Sequence, residues 1–136
     1  MAAAVLANRA VEAAPKKIIV TSSGTSSWHV GERAHQLSEK TWKRAGYTHS
    51  HSARQFIADH FDQVDLILAM DLSNQANILA LARTDEDRAK VAMLRAFDPS
   101  ADSQEVPDPW GNELDAYQDV LAMVEAAVSG LLAAVR

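Results

Sequence analysis

In Val106-Pro107-Asp108-Pro109-Trp110 an acid stands between two prolines, ahead of a large aromatic. Proline fixes φ and pushes the residue before it into an extended conformation. Asp108 is therefore a carboxylate held in a stiff segment beside an apolar wall, a setting suited to a general acid. The same stretch also describes a surface turn with a solvated aspartate, so the choice rests on the other candidate residues and on what positions them.

Those candidates are few. Ser22 and His51 could form a hydroxyl–imidazole pair, but no serine in the chain has both a base and an oxyanion site, and a bracing hydrogen bond is the simpler reading. His49, His51 and His60 invite a metal, yet no carboxylates accompany them at ligand spacing, so no metal and no cofactor are expected. Arg54 could bind phosphate or pair with a nearby acid, the safer reading. The chain has no cysteine, which excludes disulfides, thiolate metal sites and a cysteine nucleophile within these residues.

The elements that must position these residues follow from patterning. Met1 to Ala14 reads as an alanine-rich helix with Val5, Leu6 and Val11 on one face. Lys17 to Thr21 is a β-branched run and reads as a buried strand. Ser22 to Gly31 is a loop rich in Ser and Gly that carries Trp28. His35 to Ala45 forms a helix turned inward through Leu37, Trp42 and Ala45, with Gly46 as its C-terminal cap. A helical turn falls near Ala58 to Phe61. Asp65 to Met70 is the clearest strand, apolar enough to be covered on both faces. Ser73-Asn74 starts a helix running to about Ala82, and Thr84 to Lys90 reads as a charged, solvated loop with a helical turn. Val91 to Leu94 is a short strand, and Phe97 to Gln104 is a polar loop. Leu114 to Val135 is a long amphipathic helix facing inward through Val120, Leu121, Val124, Ala127, Val128 and Leu131.

Strands alternating with helices specify an α/β domain with a parallel sheet, one domain over residues 1–136. Ligands of such sheets bind beyond the carboxyl ends of the strands. Ser22, Asp71 and the approach to Asp108 all follow expected strands and should converge there.

Composition narrows the partners. The 136 residues are 23% charged and 48% hydrophobic, and the net charge of −5, with no basic block, argues against nucleic acid. No apolar run reaches the roughly 18 residues of a transmembrane helix, so no membrane is expected. The first residues lack the basic and apolar regions of a signal peptide, and nothing directs the chain out of the cytoplasm.

Several stretches taken together resemble the low molecular weight protein tyrosine phosphatases. They are Ser22-Ser23-Gly24-Thr25 with Trp28-His29-Val30-Gly31, His51-Ser52-Ala53-Arg54-Gln55, Ala69-Met70-Asp71-Leu72-Ser73-Asn74 and Asp108-Pro109-Trp110. Their order and spacing cover essentially the whole chain. The resemblance implies a flavodoxin-like fold, three-layered around a parallel sheet. It implies that Asp108 is the general acid, that Trp28 and Trp110 wall the cleft for a phosphotyrosine ring, and that Ser22, His51 and Asp71 belong to the polar network bracing the phosphate loop.

It also implies a gap. In the family a thiolate and an arginine lie on a Cys-x5-Arg loop after the first strand, and Met1-Ala2-Ala3-Ala4-Val5-Leu6 resembles the helix start that follows that loop. The expectation is a chain lacking the family's first strand and phosphate loop, inactive as written, from a longer parent that hydrolyses phosphotyrosine proteins or peptides. A pseudophosphatase that binds without turnover is the alternative. A relative of the arsenate reductases is disfavoured by the intact Asp108-Pro109-Trp110 stretch. A sheet lacking a central strand is expected to show reduced stability or to self-associate through its open edges. Gly111 stands where a second aromatic is frequent, and Thr21 where an aspartate is usual.

Overall fold

The computed structural model describes residues 1–13, 18–24, 36–48, 54–107 and 113–135. Among these, helices α1 (Ala2–Ala13) and α2 (Gln36–Arg44) precede strand β1 (Ile67–Ala69). Helices α3 (Leu72–Leu81) and α4 (Asp85–Ala89), strand β2 (Val91–Met93) and helix α5 (Leu114–Val135) follow. Short 3₁₀ segments occupy Ala58–Gln63 and Leu94–Phe97. β1 and β2 run parallel in register Ile67↔Val91, Leu68↔Ala92 and Ala69↔Met93, as βα units require.

The alternation of a strand sends neighbouring side chains to opposite faces, and here it divides two cores. Leu68 and Met70 join the cluster of Val5, Ala10, Leu94, Val106 and the inner face of α5. Ile67 and Ala69 join the cluster of Phe56, Phe61, Ile78 and Met93 on the other side. The sheet thus lies between a layer built on α1 and α5 and a layer built on α3 and the Phe56–Phe61 turn, whose rings meet edge to face at 5.1 Å.

α5 is the main support. Val120, Leu121, Val124, Ala127, Val128 and Leu131 are all buried, as their spacing predicts. The helix is apolar and long enough, by length and composition, to cross a membrane, but this face is spent on the core. Its Gly130 is required by contact: a Cβ there would sit 1.8 Å from the Phe97 carbonyl oxygen. Only glycine lets α5 press against the turn that leaves β2.

α2 ends as its sequence predicts. Gly46 adopts φ +92°, its amide donates to the Lys43 carbonyl, and the Tyr47 amide donates to that of Trp42, the paired bonds of a Schellman cap. Trp42 is fully buried, while Ala45 is exposed at the turn rather than facing inward.

Three expectations need correction. Residues 18–21 form no strand, and Ile19 is 79% exposed. β-branched residues favour a strand only when a neighbour supplies ladder bonds. Here the described segment meets one only at Gly24, which donates to the Arg54 carbonyl and accepts from the Phe56 amide, both at 2.7 Å. Second, α3 begins at Leu72 and not at Ser73: Asp71 is the cap, in extended conformation, its Oδ1 accepting from the Asn74 amide at 2.7 Å. Third, the charged run 84–90 is not simply solvated. Thr84 caps α4, and Asp87 is buried, accepting from the Arg83 amide and Nε at 3.0 Å each.

Candidate active site

The carboxyl ends of β1 and β2 and the segment leading to Asp108 meet at one place. β1 ends at Ala69, and the Met70 carbonyl accepts a 2.6 Å hydrogen bond from the Val106 amide. The next residue, Asp71, caps α3. The amide of Leu72, in the first turn of that helix, donates to Glu105 Oε2 at 3.0 Å. A carboxylate at a helix N-terminus meets both unsatisfied N–H groups and the positive end of the helix dipole, so Glu105 is drawn to this corner by α3.

The second hold comes from β2. Arg95 lies just past its end, in the Leu94–Phe97 turn, with its side chain only 8% exposed. Its Nη1 donates to the Glu105 carbonyl at 2.7 Å and its Nη2 to Asp102 Oδ1 at 3.2 Å. Segment 102–107 is therefore fixed from both strands, with Val106 buried between them. A cleft of about 320 Å³ opens here, lined by Asp71, Arg95, Glu105, Val106, Pro107 and Met123 among others.

Of the residues singled out from the sequence, Asp71 and Ser22 are described. Asp71 stands at the carboxyl end of β1, as expected, and its carboxylate caps α3. The Ser22 carbonyl accepts from Arg54 Nε at 3.1 Å, so the bond found for Arg54 is to a carbonyl and not to an acid. Asp108, Trp28, Trp110 and His51 lie outside the described residues. Among the described residues no group of three or more His, Cys, Asp or Glu could hold a metal.

Sequence reasoning missed Arg95 and Glu105. A signal for the first was available: Arg95 interrupts the apolar run Val91-Ala92-Met93-Leu94 and Ala96-Phe97, and a charge so placed must find buried partners.

Two polar networks outside the cleft brace the layers. Arg83 bridges Asp62 and Asp87, and its hydrogen bonds hold both carboxyls below their ordinary range. Across the opposite layer, Arg9 of α1 and Tyr47 after α2 both bond Glu125 of α5, the tyrosine at 2.7 Å. Burial first, then the bond to the Glu125 carboxylate, raises the Tyr47 hydroxyl above its usual value.

The chain matches the family described as "Low molecular weight phosphotyrosine protein phosphatase" over residues 1–136. It is 43% identical over 117 residues to a low molecular weight protein-tyrosine-phosphatase of Streptomyces coelicolor, covering 85% of this chain and 71% of the relative. A putative member from Synechocystis is 37% identical over 116 residues, covering 85% and 74%. Among solved structures, the protein tyrosine phosphatase of Entamoeba histolytica, crystallised with Hepes in its active site, superposes with a TM-score of 0.90 at 27% identity, covering 97% of this chain and 85% of that one. The parallel sheet and helices of this chain are those of the flavodoxin-like α/β fold, and Asp71 meets the approach to Asp108 at the carboxyl end of β1, the end at which such sheets bind ligands. The chain belongs to the low molecular weight phosphotyrosine protein phosphatases.

Proposed function

We propose that residues 1–136 supply the general acid and the substrate cleft of a phosphotyrosine monoester hydrolase. On this reading its thiolate and phosphate-binding arginine lie on a Cys-x5-Arg segment outside these residues. The observation that carries the reading is the double anchoring of segment 102–107 at the carboxyl end of the sheet, immediately before Asp108. In the proposed reaction the thiolate forms a bond to phosphorus while the phosphorus–aryl oxygen bond breaks, and Asp108 gives its proton to the leaving phenolate. Asp108, now ionised, takes a proton from water as that water attacks phosphorus. The sulfur–phosphorus bond breaks, and inorganic phosphate and free thiolate result. Trp28 and Trp110 would flank the aryl ring, and Ser22, His51 and Asp71 would brace the phosphate loop. The substrate class is a phosphotyrosine protein or peptide, and no cofactor takes part.

Without the loop amides and the arginine, little is left to neutralise the transferring phosphoryl group. The chain by itself is therefore expected to be inactive. The test is the intact mass of the protein from its source cells, with its N-terminal peptides. A mass above 14.8 kDa, with a Cys-x5-Arg peptide, supports the reading; a mass matching residues 1–136 defeats it. The alternative reading is a pseudophosphatase. That reading requires tight binding of a phosphotyrosine peptide without turnover. On either reading the exposed Ile19 and the unladdered residues 18–21 are where the 136-residue chain would self-associate, which sedimentation would detect as a concentration-dependent mass.

A further inference from the structure

We infer that Arg95 is a positioning residue for Asp108, acting through the backbone of segment 102–107. This rests on the reading of Asp108 as the general acid. Glu105 precedes Asp108 by three residues in the sequence, and both its carbonyl and its carboxylate are held, the first by Arg95 Nη1 at 2.7 Å and the second by the Leu72 amide at 3.0 Å. Between that clamp and Asp108 stand only Val106 and Pro107. The Val106 amide is bonded to the Met70 carbonyl. Val106 precedes a proline and Pro107 has a fixed φ, so little torsional freedom remains to absorb a shift.

Arg95 is itself immobilised. Leu94 beside it is 1% exposed, and the turn they share ends at Phe97, against which Gly130 of α5 packs without room for a Cβ. Among the described residues Arg95 Nε is buried with no hydrogen-bond partner. A buried donor left unmade costs stability, so stability alone is a poor reason for this residue here. Local rules are broken at a cost chiefly where function requires it.

The test uses Arg95→Met, which keeps the packing volume, and Arg95→Lys, which keeps the charge and can reach one of the two acceptors. In the 136-residue chain, hydrogen exchange should quicken by about tenfold or more at the Val106 amide for Arg95→Met while β1, β2 and α5 keep their protection. In the form that carries the Cys-x5-Arg segment, single-turnover release of phenol from phenyl phosphate, the step in which the basic leaving group needs a proton, should fall about 10–100-fold. Single-turnover release of p-nitrophenolate from p-nitrophenyl phosphate, whose leaving group departs readily as an anion, should fall less than about threefold, and inhibition by inorganic phosphate should stay unchanged. Arg95→Lys should give an intermediate, equally selective loss, and it decides the matter if Arg95→Met fails to fold. Equal losses on both esters, or unchanged exchange at Val106, would overturn the inference while leaving the phosphatase reading intact. An unaltered protein that hydrolyses neither ester would overturn both.

Discussion

Two apolar runs in this chain meet opposite fates. Ile67-Leu68-Ala69 becomes a strand: β2 pairs it, α3 and α5 cover it, and Ala69 is 2% exposed. Ile18-Ile19-Val20 is wholly β-branched, yet among the described residues it makes no ladder, and Ile19 stands 79% exposed. By β-branching the second run is the better strand former. What differs is the supply of backbone partners among the described residues: β1 receives them from β2 along its length, whereas residues 18–21 form no ladder and the bridge to residues 54–56 falls at Gly24. Strand formation is a non-local property, and the half of the molecule with two anchored strands is also the half that holds the segment entering Asp108.

Mutations should divide along the same line. The largest effect is expected at Leu94, 1% exposed at the end of β2. Leu94→Ala removes a core side chain and should cost about 2–5 kcal/mol, read from urea unfolding midpoints. Asp71→Ala removes the cap of α3 while leaving the core intact, and should cost roughly 0.5–2 kcal/mol in the same assay. A smaller, pH-dependent contribution comes from Arg83. Its bonds hold the carboxyls of Asp62 and Asp87 below the ordinary carboxylate range. A depressed acid stabilises the fold above its unfolded pKa, and that stability is lost as pH falls through the folded value. The unfolding midpoint should therefore drop as pH is lowered below about 4, and Arg83→Gln should flatten that drop. Ile19→Ala should sit at the bottom of the series, within about 0.5 kcal/mol of the unaltered chain. A loss at Ile19 as large as that at Leu94 would break the comparison, for it would mean that residues 18–20 are packed as tightly as the strands.

What could be read in the sequence follows the range of the interaction that decides it. α5 is visible from end to end because a long apolar stripe at helical spacing is a local signal that its burial then confirms. Gly46 is visible because a left-handed cap depends on one residue type. β1 and β2 are visible because their partners are present. Residues 18–21 mislead because pairing, and not β-branching, decides a strand. The start of α3 misleads because Asp71 and Ser73 are both good caps, and the choice falls to the one whose carboxylate reaches the Asn74 amide. In the site, Asp71 and the approach to Asp108 converge as the strand order predicts. Arg95 and Glu105 were not legible as a pair: the bond between them joins a side chain to a carbonyl ten residues on, and acceptance by a carbonyl leaves no trace in residue type.

The most direct measurement is single-turnover hydrolysis of a phosphotyrosine peptide by the protein isolated from its source, compared with the same protein carrying Asp108→Asn. If residues 1–136 supply the general acid of a working phosphatase, the substitution lowers the rate of phenolate release by about 10²–10⁴-fold while peptide binding persists. Equal rates for the two proteins, or no hydrolysis by the unaltered one, would contradict the account.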